Sequence, residues 1–106
     1  MKGSKKRNNY REIIDYTMKI PSRKGNGILR FKMSVDSKGK LAHYSMAYIN
    51  HRICNLDNGR VLGYDNSHGH HHRHFMGVKE PIDFENYEAL VERFETEWRL
   101  HHEKVN

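Results

Sequence analysis

With a single cysteine, Cys54, the chain can form no internal disulfide, and a reducing cytoplasm is the expected setting. No apolar run approaches the ~18 residues a transmembrane helix needs, so no membrane partner is expected. The start of the chain is basic (Lys2, Lys5, Lys6, Arg7), but no apolar core follows, which argues against a secretory signal. Two prolines and eight glycines are no excess, so most of the chain should fold. Acidic residues are scarce in the first part: residues 1–40 hold twelve Lys/Arg against three Asp/Glu. Residues 80–106 reverse this, with three against eight. The net charge of +6 therefore sits mainly in one half, and a basic half suggests a polyanionic partner, RNA or DNA.

One hundred and six residues make one domain. Residues 1–10 read as a mobile basic arm, and 11–106 as the domain. Ile14, Tyr16, Met18 and Ile20 alternate with Asp15, Thr17 and Lys19, the period of a half-buried strand. Turn chemistry follows over Pro21–Gly27. A second strand sets Leu29, Phe31, Met33 and Val35 against Arg30, Lys32 and Ser34. Asp36–Gly39 reads as a hairpin turn. A third strand spans roughly Leu41–Ile49, with Tyr44, Met46 and Tyr48 on one face. Both its faces carry apolar residues, so its facing stays open. A turn at Asn55–Gly59 leads to a fourth strand, Arg60–Asp65.

After Pro81 the period changes. Tyr87, Leu90, Val91, Phe94, Trp98 and His101 recur at helical spacing, with Glu88, Glu92, Glu95 and Arg99 on the other face and Asp83 or Asn86 as the cap. The expected architecture is α+β: an antiparallel meander of about four strands with one C-terminal helix packed on one face. The other face, with Lys19, Arg30, Lys32 and His43, is left to water.

The fourth strand runs straight into His68, His70, His71, His72 and His74, five histidines within seven positions, with Arg73 among them. Histidine titrates near neutrality, at ~6.5. RNA cleavage needs a base for the 2′-hydroxyl, an acid for the leaving 5′-oxygen and a cation for the phosphorane. Two imidazoles and a guanidinium supply these without a metal. His68, His71 and His74 are candidate proton movers, Arg73 the phosphate-binding fork, and Asp65 the carboxylate that orients an imidazole. Gly69 would let a backbone approach the substrate closely. No cofactor is called for. The same residues also allow a solvated polar loop without chemistry.

Other readings stay open. In an extended chain, His70, His72 and His74 point to one side and could share Zn²⁺ or Ni²⁺. Tyr44, Tyr48 and Tyr64 could stack on bases, although strand spacing favours core. Lys19, Arg30, Lys32, Arg60, Tyr64 and Asn66 are the candidate nucleic-acid contacts. Cys54 reads as an inert small residue rather than a nucleophile paired with His51. Trp98 reads as core.

The stretch from Arg60 to His74, Arg-Val-Leu-Gly-Tyr-Asp-Asn-Ser-His-Gly-His-His-His-Arg-His, resembles the TumE-type toxins of bacterial and archaeal toxin–antitoxin modules. Their pattern is Arg-Val-x-x-Tyr-Asp-Asn-Ala-His-Gly-x-His-His-Arg-His. It is met at Arg60, Val61, Tyr64, Asp65, Asn66, His68, Gly69, His71, His72, Arg73 and His74. Ser67 replaces the usual Ala, and His70 falls on a variable position. The resemblance implies a toxin encoded beside a helix-turn-helix antitoxin. Joined to the residue reading, the expected activity is metal-independent cleavage of RNA. The rivals are a nucleic-acid- or protein-binding module without catalysis and a metal-dependent nuclease. A homodimer is left open.

Overall fold

A computed structural model describes residues 10–103, and the basic arm expected over residues 1–10 lies almost wholly outside them. The chain forms β1 (Arg11–Lys19), β2 (Ile28–Val35), β3 (Leu41–Ile49), β4 (Arg60–Asp65), β5 (His72–Phe75), β6 (Val78–Pro81) and α1 (Tyr87–Glu103). All strand pairings are antiparallel, and spatial order equals sequence order, β1 to β6. The class is the expected α+β meander with one C-terminal helix. The strand count is corrected from about four to six: the histidine cluster is itself the start of a hairpin, β5–β6.

That hairpin is hidden from an apolar-alternation reading because β5 (His-Arg-His-Phe) sets half-buried polar groups against polar partners on both faces. It turns through Met76 and Gly77, both at positive φ.

Directly opposed residues of antiparallel strands share a face, so the register sorts the side chains. Tyr16, Phe31, Met46, Tyr64, Arg73 and Glu80 form one row on the face that α1 covers. Leu90, Phe94 and Trp98 are buried there. Phe94 meets Phe31 and Tyr64 edge-on at 5.5 and 6.4 Å between ring centroids, and Trp98 meets Tyr48 at 5.5 Å. Each such buried side chain contributes roughly 1.5–3 kcal/mol. The third strand's facing is thereby settled, with Tyr44, Met46 and Tyr48 inside. Asn86 is the helix cap, its Oδ1 accepting from the Ala89 amide at 2.8 Å.

Among the described residues, the opposite face carries no helix. One row across it reads Asp15, Lys32, Ser45, Asp65, His72, Pro81, and the next reads Thr17, Arg30, Ala47, Gly63, His74, Lys79. Lys19, Ile28, Ile49 and Arg60 form a third. These rows place the cations of β1 and β2 on the same surface as half of the histidine cluster.

Candidate active site on the open sheet face

The open face holds a connected group built from β4 and β5. His74 Nε2 donates to Asp65 Oδ2 at 2.8 Å, and its Nδ1 accepts from Arg60 Nη2 at 3.1 Å. A guanidinium has no lone pair to offer, so Nδ1 must be bare and Nε2 must carry the proton. His74 is thus a neutral imidazole with a defined tautomer. Burial, the largest cause, and then the Arg60 charge hold its pKa below the usual histidine value, against an upward pull from Asp65. Burial pushes the Asp65 carboxyl up, but the Ser67 amide and His74 outweigh that and keep it below the ordinary value. Asp65 therefore stays ionised.

Arg60 reaches His74 because β4 carries glycine at Gly63. A Cβ there would lie 2.8 Å from the Arg60 Cδ and 3.3 Å from the Met46 carbonyl oxygen. The bare backbone is the bed on which the Arg60 stem lies. Its Nε donates to Asp57 at 2.6 Å, and Nη1 stands 3.9 Å from Asp65.

His72 is the second imidazole of this face. Its Nδ1 is buried without a hydrogen-bond partner and stands 3.9 Å from Asp65 Oδ1. Its ring lies between those of His70 and His74, 6.1 and 6.3 Å away. Asp65 thus stands between two imidazoles, bonded to one and close to the other. His72 is not among the proton movers expected from the sequence, although the alternation that sets His70, His72 and His74 on one side points to it. That shared side is observed. Among the described residues, no group of three or more His, Cys, Asp or Glu is arranged to hold a metal ion.

The expected catalytic set does not come together. Arg73 has the opposite parity on β5, and His71, just before that strand, likewise lies on the helix side. His71 stacks on Phe84 with centroids 4.1 Å apart and planes 5° off parallel, and its Nδ1 meets the Tyr44 hydroxyl at 2.8 Å. Burial, then the neighbouring His72, lowers its pKa, so it too is neutral. The Arg73 fork is fully engaged: Nη2 donates to Glu97 at 2.9 Å, Nη1 to Glu80 at 3.2 Å and Nε to the Tyr64 hydroxyl at 3.2 Å. His68 is exposed at the tip of a single 3-10 turn, Ser67–Gly69, with φ at 60°. Gly69 serves that turn through its own positive φ and has open space around it, so no close approach by its neighbours explains it.

The candidate nucleic-acid contacts divide as well. Lys19, Arg30, Lys32 and Arg60 all lie on the open face, the first three exposed. Tyr64 does not: it is fully buried on the helix face, its hydroxyl donates to Glu97, and burial, followed by that carboxylate, pushes its pKa up to about 12. A base cannot stack on it, and the same burial corrects that reading for Tyr44 and Tyr48. Asn66 is occupied with β3, its Oδ1 accepting from the Tyr44 amide and its Nδ2 donating to the Ala42 carbonyl, both at 3.0 Å. It closes the ladder where β4 ends.

A family model described as Toxin TumE matches residues 4–102, nearly the whole chain. The chain belongs to the TumE toxin family. It is therefore a toxin of a toxin–antitoxin module. No curated protein and no solved structure matches it. No helix among the described residues is long and apolar enough to cross a membrane. In this TumE-family toxin the Arg60–His74 motif is divided between the two faces of the sheet, with Arg60 carried to the open face by a register shift between Tyr48 and Ile49. Arg60, Asp65, His72 and His74 equip the open face, while Tyr64, His71 and Arg73 fasten the β4–β5 hairpin to the core and to α1.

Proposed function

We propose that this toxin cleaves RNA on its open sheet face by metal-independent acid–base chemistry, with His74, His72, Asp65 and Arg60 as the reacting group. The observation that carries this reading is the Arg60–His74–Asp65 chain, with His72 on the other side of the same carboxylate. Lys32 shares a row with Asp65, and Arg30 shares one with His74. Two strand spacings of ~4.8 Å from Lys32 to Asp65, and three from Arg30 to His74, put those cations roughly 10–15 Å away, within a few phosphates along a strand of RNA.

A phosphodiester entering this face competes with His74 for Arg60. When the guanidinium turns to the phosphate, His74 Nδ1 loses its donor and becomes a free base. It takes the proton of the 2′-hydroxyl, whose oxygen attacks phosphorus. The 5′-oxygen leaves with a proton from His72. The products are a 2′,3′-cyclic phosphate and a 5′-hydroxyl, with the two imidazoles left in exchanged protonation states. Asp65 steadies the imidazolium that forms on His74. Lys19, Arg30 and Lys32 bind the flanking backbone, and the neutralising partner is a helix-turn-helix antitoxin encoded beside the toxin.

Incubation of the purified toxin with end-labelled RNA in EDTA tests this reading. Cleavage that leaves cyclic phosphate ends, and is lost in His74→Ala and His72→Ala while Arg73→Lys retains it, is the expected result. Binding without cleavage would instead favour a recognition face. One feature points that way: both His74 ring nitrogens are occupied in the resting structure. Cleavage abolished by EDTA would favour a metal-dependent nuclease.

A further inference from the structure

The strand β1 is the long open edge of the sheet: nine residues paired on one side only among the described residues. Such an edge is a ready template for another strand, and proteins blunt it with proline, a strong bulge or inward charge. Here the only irregularity lies near one end, between Glu12 and Ile14, and Ile14–Lys19 is regular and free of proline. Its helix-side residues run past the cover that α1 provides. Tyr16 is 51% exposed and Met18 38%, although both lie on the apolar face. Tyr16 is already held by stacking on Phe31, at 6.2 Å between centroids.

We infer that β1 pairs with β1 of a second copy of this chain, antiparallel and centred on Thr17. A two-fold axis perpendicular to the sheet keeps each face on its own side, so residue pairs must share parity. Centring on Thr17 sets Asp15 opposite Lys19 twice on the open face. It sets Tyr16 opposite Met18 twice on the apolar face, and Ile14 opposite Ile20 beyond them. Opposite charges and aromatic–thioether contacts are the favourable cross-strand pairs. The neighbouring registers lose this match. Centring on Asp15 opposes two carboxylates, and centring on Tyr16 or Met18 leaves Asp15 or Lys19 facing threonine. The charge pattern of the strand thus selects one register and a self-complementary partner.

The resulting sheet has twelve strands, with both open faces on one side. Seven strand spacings of ~4.8 Å separate the two β4 strands, roughly 34 Å. Lys19 would meet Asp15 of the second copy at the seam, while Arg30 and Lys32 of both copies would extend the basic band to either side of it.

Two measurements on the full chain test this. Sedimentation equilibrium should give a dimer at micromolar concentration. Asp15→Lys should weaken association roughly tenfold by opposing like charges at two places, and Asp15→Lys with Lys19→Asp should restore it by exchanging the signs. Thr17→Cys should cross-link to itself under mild oxidation, since facing residues stand ~4.5–5.5 Å apart, within disulfide reach. Asp15→Cys should not, and Cys54 is buried. A monomer at all concentrations overturns the inference. So does a dimer that ignores the charge exchange and in which Thr17→Cys fails to cross-link, because the copies would then meet elsewhere. A β1 edge that binds only the antitoxin would appear as a monomeric toxin whose complex responds to Asp15→Lys, and it too overturns the inference.

Discussion

Arg73 and Glu97 form an ion pair 2.9 Å long that joins β5 to α1, and the same guanidinium holds Glu80 of β6 and the Tyr64 hydroxyl of β4. One side chain therefore ties three strands to the helix from the face opposite the proposed chemistry. Arg73→Ala leaves Glu97 and the buried Tyr64 hydroxyl short of a donor. The expected cost is about 2 kcal/mol of stability, a fall in Tm of roughly 10 °C for a domain of this size. Thermal unfolding followed by circular dichroism measures it. At a temperature where both proteins are folded, the variant should keep most of its RNA cleavage. A variant as stable as the parent but catalytically dead would return Arg73 to the active site.

The pKa of His74 should answer to its two neighbours in opposite directions. Arg60→Ala removes the positive charge that holds it down and so should raise it. Asp65→Asn removes the charge and the acceptor that hold it up and so should lower it. Titration of the His74 ring resonances by NMR reads both. In the parent, the Nδ1 and Nε2 shifts should report the tautomer protonated on Nε2. Movement of both variants in one direction would show that the Arg60–His74–Asp65 chain is not formed in solution.

Stability should fall on mild acidification. His71 and His74 both have folded-state values below the ordinary ~6.5 of an unfolded chain. In that case the unfolded state takes up protons first as pH drops. Their contribution is complete above pH ~6.5 and is lost as pH falls through the folded values. The urea midpoint should therefore drop between pH 7.5 and 5.5, and His71→Gln should flatten part of that slope. A midpoint that rises over the interval would contradict the neutral, buried state of both rings.

Gly63→Ala should disable the open face while sparing the fold. The new methyl meets the Arg60 stem at 2.8 Å, and the side chain can lift away. The Met46 carbonyl at 3.3 Å must give only slightly. A stability loss of about 1 kcal/mol or less is expected, with RNA cleavage down roughly a hundredfold because Arg60 is misplaced from its partners. Full activity in this variant would mean that Arg60 need not lie where the structure puts it.

The second and third strands and the helix are written in the sequence because each buries apolar side chains at its own period. Tyr44, Met46 and Tyr48 at spacing two, and Leu90, Phe94 and Trp98 at spacing four, are of that kind. What hydropathy could not reveal is where polar groups are buried against one another. His71 and Arg73 look like a reactive cluster beside His72 and His74, yet alternate residues of a strand face opposite ways. Only the pairing of β5 with β4 says which way each faces. The buried His102 is a second case. Its Nε2 donates to the Lys24 carbonyl and its Nδ1 accepts from the Tyr48 hydroxyl, to which Asn50 also donates. Those partners lie far away in sequence, and no local period announces them. Exposure of β1 was illegible for another reason: its alternation is that of a half-buried strand, but nothing in the strand tells where the helix stops.

Because every strand pairs with its neighbour in sequence, the sheet can assemble hairpin by hairpin from short loop closures, in the order in which the ribosome delivers it. The last seventeen-residue element is different: α1 reaches back across the sheet, and His102 meets Lys24 near the start. Tyr48 and Tyr64 stay wet, and the β4–β5 hairpin unfastened from Glu97, until that helix leaves the exit tunnel. A nascent or truncated chain lacking α1 has all five histidines of the cluster and lacks the support that holds them. For a toxin, whose activity threatens its own host, α1 acts as a timer: the proposed surface lacks its support until the helix has been made and docked.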